Sequence, residues 1–239
     1  MPGCRSRFAL SRAWIAAALT VLSATAAGRA GAAVIASYPF NSGSANSTDT
    51  DPTSTAGAFT KGVFTGGDAT KAGVSNSTNM AFYRSDASSA TTDAAAVTND
   101  DSFGFTLTPT VGPTSLSSLT FDYGGNSVAN GTNYTANFVV RSSLDGFASN
   151  IGTTLTKTVN STTSSFNQAV VDLTGAQFQN LTSPVTFKIF EFDASVDTGN
   201  IARVDNVILN GVPEPSTAAL VAAAAATTLF RRRRHRAAR

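Results

Sequence analysis

"SFGFTLT" (residues 102–108) and "VTFKIFEFD" (residues 185–193) decide the fold. In the first, Phe103, Phe105 and Leu107 alternate with Ser102, Gly104, Thr106 and Thr108. A period of two describes a strand with one apolar and one wet face. In the second, Val185, Phe187 and Ile189 share a face, yet Phe190 and Phe192 are apolar too. Such a slip marks either a bulge or a strand covered on both sides. Working outward, "SLTFDYGG" (118–125) repeats the alternation through Leu119, Phe121 and Tyr123. "AVIASYPF" (33–40), "GAFTKGVFTG" (57–66), "TNYTANFVVRSS" (132–143), "TTLTKTV" (153–159), "NQAVVDL" (167–173) and "IARVDNVILNG" (201–211) are further apolar runs bounded by Gly, Asn, Asp or Pro.

No helical period is sustained over a useful length. Roughly nine to eleven short strands over about 180 residues give an all-β class, an antiparallel β-sandwich of jelly-roll-like form. The expected core includes Phe103, Phe105, Phe121, Phe138, Val171, Phe187 and Ile189. "SDASSATTDAAAVTNDD" (85–101) has little pattern and is expected to be a surface loop with a helical turn over Asp93 to Val97. Less than about a tenth of the body should be helix, against a usual third. One domain, 33–211, is expected, without internal repeats.

Charge is distributed unevenly. Between Val34 and Val212 stand seven Lys and Arg against fourteen Asp and Glu, a net −7, while the other ten basic residues lie in the two ends. An acidic body repels phosphate backbones, so nucleic acid is excluded as a partner.

The front end has the order of a secretory signal peptide, 1–32. Arg5, Arg7 and Arg12 precede an apolar run, Trp14 to Ala27, and Ala30-Gly31-Ala32 offers a small-residue cleavage site. Cleavage is expected after Ala32, with Ala26 as the other candidate, and the general secretion machinery is the implied partner. Cys4 precedes the apolar run, so it is not a lipid-attachment cysteine. With Cys4, Trp14 and His235 all in the ends, the body has no Cys, Trp or His. Disulfides are excluded, and so are Ser-His and Cys-His chemistry.

The back end, 212–239, reads "VPEPSTAALVAAAAATTLFRRRRHRAAR". Pro213 and Pro215 hold the chain extended, and Ser216 is a suitable N-cap for a helix from Thr217. Thr217 to Phe230 spans 14 residues, about 21 Å as a helix, against about 30 Å of hydrocarbon. Arg231, Arg232, Arg233 and Arg234 would stay on the cytoplasmic side and stop translocation. The expected path is export across the inner membrane, a transient membrane intermediate, then the cell surface or beyond.

A Pro-Glu-Pro motif, an apolar stretch and a basic cluster in this order resemble the PEP-CTERM sorting signal. The resemblance covers Pro213 to Arg239 and implies that an exosortase, a membrane cysteine enzyme, recognises Pro213, Glu214 and Pro215. The body is similar, more loosely, to Thr/Asn-rich PEP-CTERM jelly rolls through "VRSSLDGFASNIGT" (140–153) and "IARVDNVILNG". The resemblance implies no activity of the body.

Catalysis would have to come from carboxylates. Thirteen Asp and one Glu, Glu191, stand in the body, most of the Asp in turns that favour them for backbone hydrogen bonding. A non-enzyme is expected. Some carbohydrate-binding jelly rolls use an Asp in a similar last strand to hold structural calcium, which makes Asp205 the candidate metal ligand. The competing reading pairs Asp205 with Arg203 or backbone N–H groups. Tyr38, Tyr83, Tyr123 and Tyr134 are the aromatic candidates for stacking on sugar, although three lie in strand-like stretches where core packing is the default. The body is expected to be a structural or adhesive component of the cell surface or extracellular matrix, with a carbohydrate-binding module for extracellular polysaccharide as the alternative.

Overall fold

The alternation becomes two antiparallel sheets. A computed structural model describes residues 33–40, 44–49, 51–62, 82–85, 90–193 and 200–212. These fall within one compact unit, Ala32–Val212. Residues 1–32 and 213–239, with the expected signal peptide, Pro213, Glu214, Pro215 and Arg231 to Arg234, lie outside the described residues.

The strands are β1 (Ala33–Tyr38), β2 (Ser54–Ala56), β3 (Thr60–Lys61), β4 (Phe82–Ser85), β5 (Ser102–Pro109), β6 (Leu116–Asn126), β7 (Tyr134–Ser142), β8 (Leu155–Val159), β9 (Ser165–Asp172), β10 (Val185–Asp193) and β11 (Ile201–Gly211). One sheet runs β1-β11-β6-β9, with β4 also on β11. The other runs β2-β5-β10-β7-β8, with β3 also on β5. Every connection from β5 to β11 except β7 to β8 crosses between the sheets, the wiring of a jelly roll.

The core lies between the sheets and takes the residues that the alternation selects. Phe103, Phe105, Phe121, Phe138, Val171, Phe187 and Ile189 are all buried in one cluster. Burying a side chain of this kind stabilises the fold by about 1.5–3 kcal/mol.

The irregular strand β10 is covered on both sides and carries no bulge. Its register is continuous against β5 and β7. Phe190 points away from the main core and packs with Val139, Ala90 and Ala96 in a second, small cluster. Ala96 belongs to α1 (Asp93–Asn99), which extends the expected turn by two residues. Thr92 caps the helix by accepting the Ala95 N–H at 3.2 Å, and Asp100 closes it in the left-handed region at φ 56°. So 85–101 is not all loop: part of it supplies the lid over Phe190.

Strand β11 changes parity at a β-bulge. Against β6, Asp205 pairs with Asp122 but Ile208 pairs with Thr120, so β11 spends one extra residue. Asn206 absorbs it at φ 47°, a conformation Asn tolerates better than most residues. Inward positions are Ala202 and Val204 before the bulge, and Val207 and Leu209 after it, all buried. Without the bulge, Val207 and Leu209 would face outward.

Arg141, on the outer face of β7, organises the segment that follows. Its Nε donates to Asn150 Oδ1 at 2.7 Å, Nη1 to the carbonyls of Phe147 and Ala148 at 2.8 and 3.1 Å, and Nη2 to Asp93 Oδ2 at 3.2 Å. One guanidinium thus ties the β7–β8 connection to α1. At the open edge, Lys157 of β8 reaches Asn167 of β9 at 3.0 Å and bridges the two sheets. An inward-leaning lysine on an edge strand also discourages pairing with another chain.

Candidate functional site

Asp205 sits on the outer face of the first sheet and is only 7% exposed. Its Oδ1 accepts the Asn206 backbone N–H at 2.7 Å, and the Asn206 amide donates to Asp122 Oδ2 at 2.8 Å. Burial pushes the Asp205 carboxyl up to about 6; the Asn206 N–H opposes this and the Asp122 charge adds to it. Arg203 does not take the role of its partner; it donates to Asn126 Oδ1 through Nε and Nη2 at 3.3 and 3.1 Å.

The arrangement fits calcium poorly, because that ion takes six to eight oxygens. Two N–H donors already occupy the Asp205–Asp122 pair. Among the described residues no group of three or more His, Cys, Asp or Glu is placed to hold a metal. The backbone reading of Asp205 is therefore the one the geometry favours.

Three of the four sugar-stacking candidates are spent elsewhere. Tyr38, Tyr123 and Tyr134 are buried in the core, and Tyr38 donates to the Gly57 carbonyl at 2.6 Å. Tyr83 is placed in β4 opposite Arg203.

A groove of about 240 Å³ opens instead on the outer face of the second sheet, against β2 and β3. Gly104 forms part of its lining, and a Cβ there would overlap the Phe187 carbonyl oxygen. Thr106 and Thr186 stand beside it with hydroxyls 2.8 Å apart. Asp100 Oδ1 accepts from both Ser102 Oγ and Lys188 Nζ at 2.6 Å. The Lys188 ammonium also lies 5.3 and 5.9 Å from the Phe147 and Phe190 ring centres. The groove offers hydroxyls, one compensated ion pair and backbone. A second groove, about 520 Å³, lies among Ser142, Asp145, Asn150, Asp172 and Phe178. Its carboxylates are turned to their own loops: Asp145 accepts from Ala148 and Ser149, and Asp172 from Thr174.

The fold also assembles carboxylates that sequence reasoning did not join. Glu191 and Asp193 continue the inward parity of Val185, Phe187 and Ile189, and the Glu191 N–H reaches the Asp101 carbonyl at 3.0 Å. Asp101, Glu191 and Asp193 are each 0% exposed. Tyr134 donates to Glu191 Oε1 at 3.1 Å. Lys61 faces inward opposite Phe103 with its Nζ buried. Carboxylates so enclosed offer a dissolved polysaccharide no approach; they form a buried polar end to the core. The signal was present in "FEFD", where Glu191 and Asp193 share the parity of the apolar positions.

No family model and no curated protein matches the chain. Solved structures do. The cleaved adhesin domain of Lys-gingipain from Porphyromonas gingivalis is 15% identical, with a TM-score of 0.39 over 74% of this chain and 98% of that one. A CBM28 carbohydrate-binding module specific for non-crystalline cellulose is 16% identical, with a TM-score of 0.37 over 58% and 80%. The CBM22-1 xylan-binding domain from Paenibacillus barcinonensis is 11% identical, with a TM-score of 0.34 over 77% and 97%. At this distance they assign no ligand to the present chain.

Among the described residues no helix is long and apolar enough to cross a membrane. Thr217 to Phe230 lies outside them.

Proposed function

We propose that this chain is an exported, non-catalytic β-sandwich, sorted through a PEP-CTERM-type C-terminal signal, that contacts polysaccharide outside the cell. The groove over Gly104 carries the reading for the body. Thr60, Ser102, Thr106 and Thr186 line it, and neutral hydroxyls are suitable partners for sugar hydroxyls. With a body charge of −7, the favoured ligand is a neutral polysaccharide rather than an anionic one. The sorting part rests on the order of Pro213-Glu214-Pro215, the apolar run and Arg231 to Arg234. In this reading an exosortase-type enzyme acts on the chain, and the prolines and Glu214 are what it recognises.

A second reading, a purely structural or adhesive matrix component, is favoured by one observation: Tyr38, Tyr123 and Tyr134 are core residues, not a stacking platform. Affinity electrophoresis of the 33–211 body in a panel of neutral and acidic polysaccharides separates the two. Retardation by a neutral glucan or xylan, lost in Thr106→Arg and Thr186→Arg, supports the binding role. Equal mobility in every gel leaves the structural role.

A further inference from the structure

We infer that the groove over Gly104 takes the end of a polysaccharide chain, one sugar residue deep, and not an internal stretch, a claim that rests on the polysaccharide reading above. The floor runs along β5 from Gly104 to Thr106. The β2–β3 edge makes one wall. It is fastened at both ends of the groove, where the Gly57 N–H donates to the Thr106 carbonyl and the Gly62 N–H to the Ser102 carbonyl, both at 2.8 Å. Lys188 makes the other wall. It stands opposite Gly104 in register, and a Cβ at Gly104 would lie only 3.1 Å from Lys188 Cγ.

At Ser102 the groove is barred. A Cβ at Gly62 would overlap the carbonyl oxygen and the carboxyl of Asp100, so the two residues lie directly against each other. Asp100 Oδ1 in turn accepts from Lys188 Nζ at 2.6 Å. Gly62, Asp100 and Lys188 thus form one unbroken row from wall to wall. Phe147 backs the ammonium, its ring centre 5.3 Å away and its carbonyl clasped by Arg141 at 2.8 Å. At the opposite end Thr106 and Thr186 are followed by Thr108, whose partner Thr55 is exposed, and the way out is open. The enclosed volume is about 240 Å³, below the ~300–1,000 Å³ of sites that enclose a drug-sized ligand. One sugar ring fits that space and a run of rings does not. An internal residue would drive its next glycosidic bond into the bar. A terminal residue presents a hydroxyl there instead. The ion pair, with Lys188 26% and Asp100 34% exposed, offers that hydroxyl both a donor and an acceptor.

Competition on the full chain, purified in detergent, tests this against the neutral glucan or xylan that retards it in affinity electrophoresis. The competitors are linear oligosaccharides of two and six residues with the same linkage. Both should release the chain at molar concentrations within about threefold of each other, because each supplies one such end. A larger advantage for the six-residue competitor means several subsites in a row and overturns the chain-end assignment. Asp100 stands at φ 56°, where glycine is at ease, so Asp100→Gly removes the bar without straining the turn. In this variant, with its fold checked by circular dichroism, the six-residue competitor should become the stronger by more than about threefold. Equal potency in the variant as well means that the bar does not limit the groove, which also overturns the assignment. Absence of retardation by every neutral polysaccharide removes the polysaccharide reading itself, and the chain-end assignment with it.

Discussion

Asp205 of β11 faces Asp122 of β6 directly across the ladder, and Asn206 donates a hydrogen bond to one oxygen of each. Two like charges are held on one rung because the bulge at Asn206 brings its backbone and side-chain donors to both.

This pair makes stability depend on pH. The folded-state value for Asp205, about 6, lies above the usual carboxylate value. The native state therefore holds the proton more tightly, and this group's contribution is full below about pH 4 and lost as pH rises through about 6. Asp205→Asn keeps an oxygen for the Asn206 N–H and removes the charge. It should raise stability at pH 7 by about 1–2 kcal/mol and flatten the melting temperature between pH 4 and 7. Thermal melts across that range check it. Calcium and chelator should leave both melts unchanged, and a calcium-dependent rise lost in the variant would restore the metal role of Asp205.

Arg141→Leu removes four hydrogen bonds centred on one nearly buried guanidinium. A loss of about 2–4 kcal/mol is expected, with faster hydrogen exchange in α1 and in 147–150. Arg141→Lys should recover little, since one ammonium cannot reproduce the fork. Acid should loosen the same clasp. Asp93 lies below the usual carboxylate value, chiefly through the Asn150 hydrogen bond, with the Ala94 N–H and Arg141 also contributing against some desolvation. Its contribution is present above about pH 4 and fades as pH falls further. Exchange of the α1 amides at pH 3 and pH 6 measures the difference.

Gly125→Ala should prevent folding or cost more than about 4 kcal/mol. A Cβ at Gly125 would overlap the Ile201 carbonyl, and one at Gly124 the Ser165 carbonyl. Both clashes are with backbone of paired strands, which cannot move aside without breaking the ladder. Soluble yield and far-ultraviolet circular dichroism report the outcome.

Ser127→Ala should be stabilising by about 1 kcal/mol. Among the described residues, Ser127 Oγ is buried without a hydrogen-bond partner, and so is Asn200 Nδ2, whose Oδ1 accepts the Val128 N–H at 2.9 Å. Removing an unsatisfied hydroxyl relieves its desolvation. A lower melting temperature would instead mean that Ser127 is satisfied in solution.

The strands were legible wherever one face of a sheet is dry. Phe103, Phe105 and Leu107 announce β5 because a period of two has no other simple structural cause. β10 was ambiguous for the same reason: α1 covers its second face, and nothing local in "VTFKIFEFD" says that residues a hundred positions earlier do so. The bulge at Asn206 was hidden because "RVDNV" fits an unbroken strand until the parities of Val204 and Val207 are compared. The groove over Gly104 could not be read at all. It depends on β5 and β10 being neighbours, with Thr106 and Thr186 in register, and register between distant strands is a property of the assembled sheets. Asp205 stands out in the sequence as a polar residue in an apolar last strand, and the structure adds the local detail that its Oδ1 accepts the Asn206 backbone N–H.

Ala33 and Gly211, the opposite ends of the body, occupy one rung of the first sheet. Closing a loop that takes in the whole domain is entropically unfavourable, and contacts so far apart in sequence slow folding. It also imposes an order in time. The N-terminal strand is synthesised first yet has no strand to pair with until β11, the last one, follows. The leading segment must wait for the trailing one, so the first sheet stays open at β1 until the final residues of the body arrive. Completing that rung then registers that the whole body has been made.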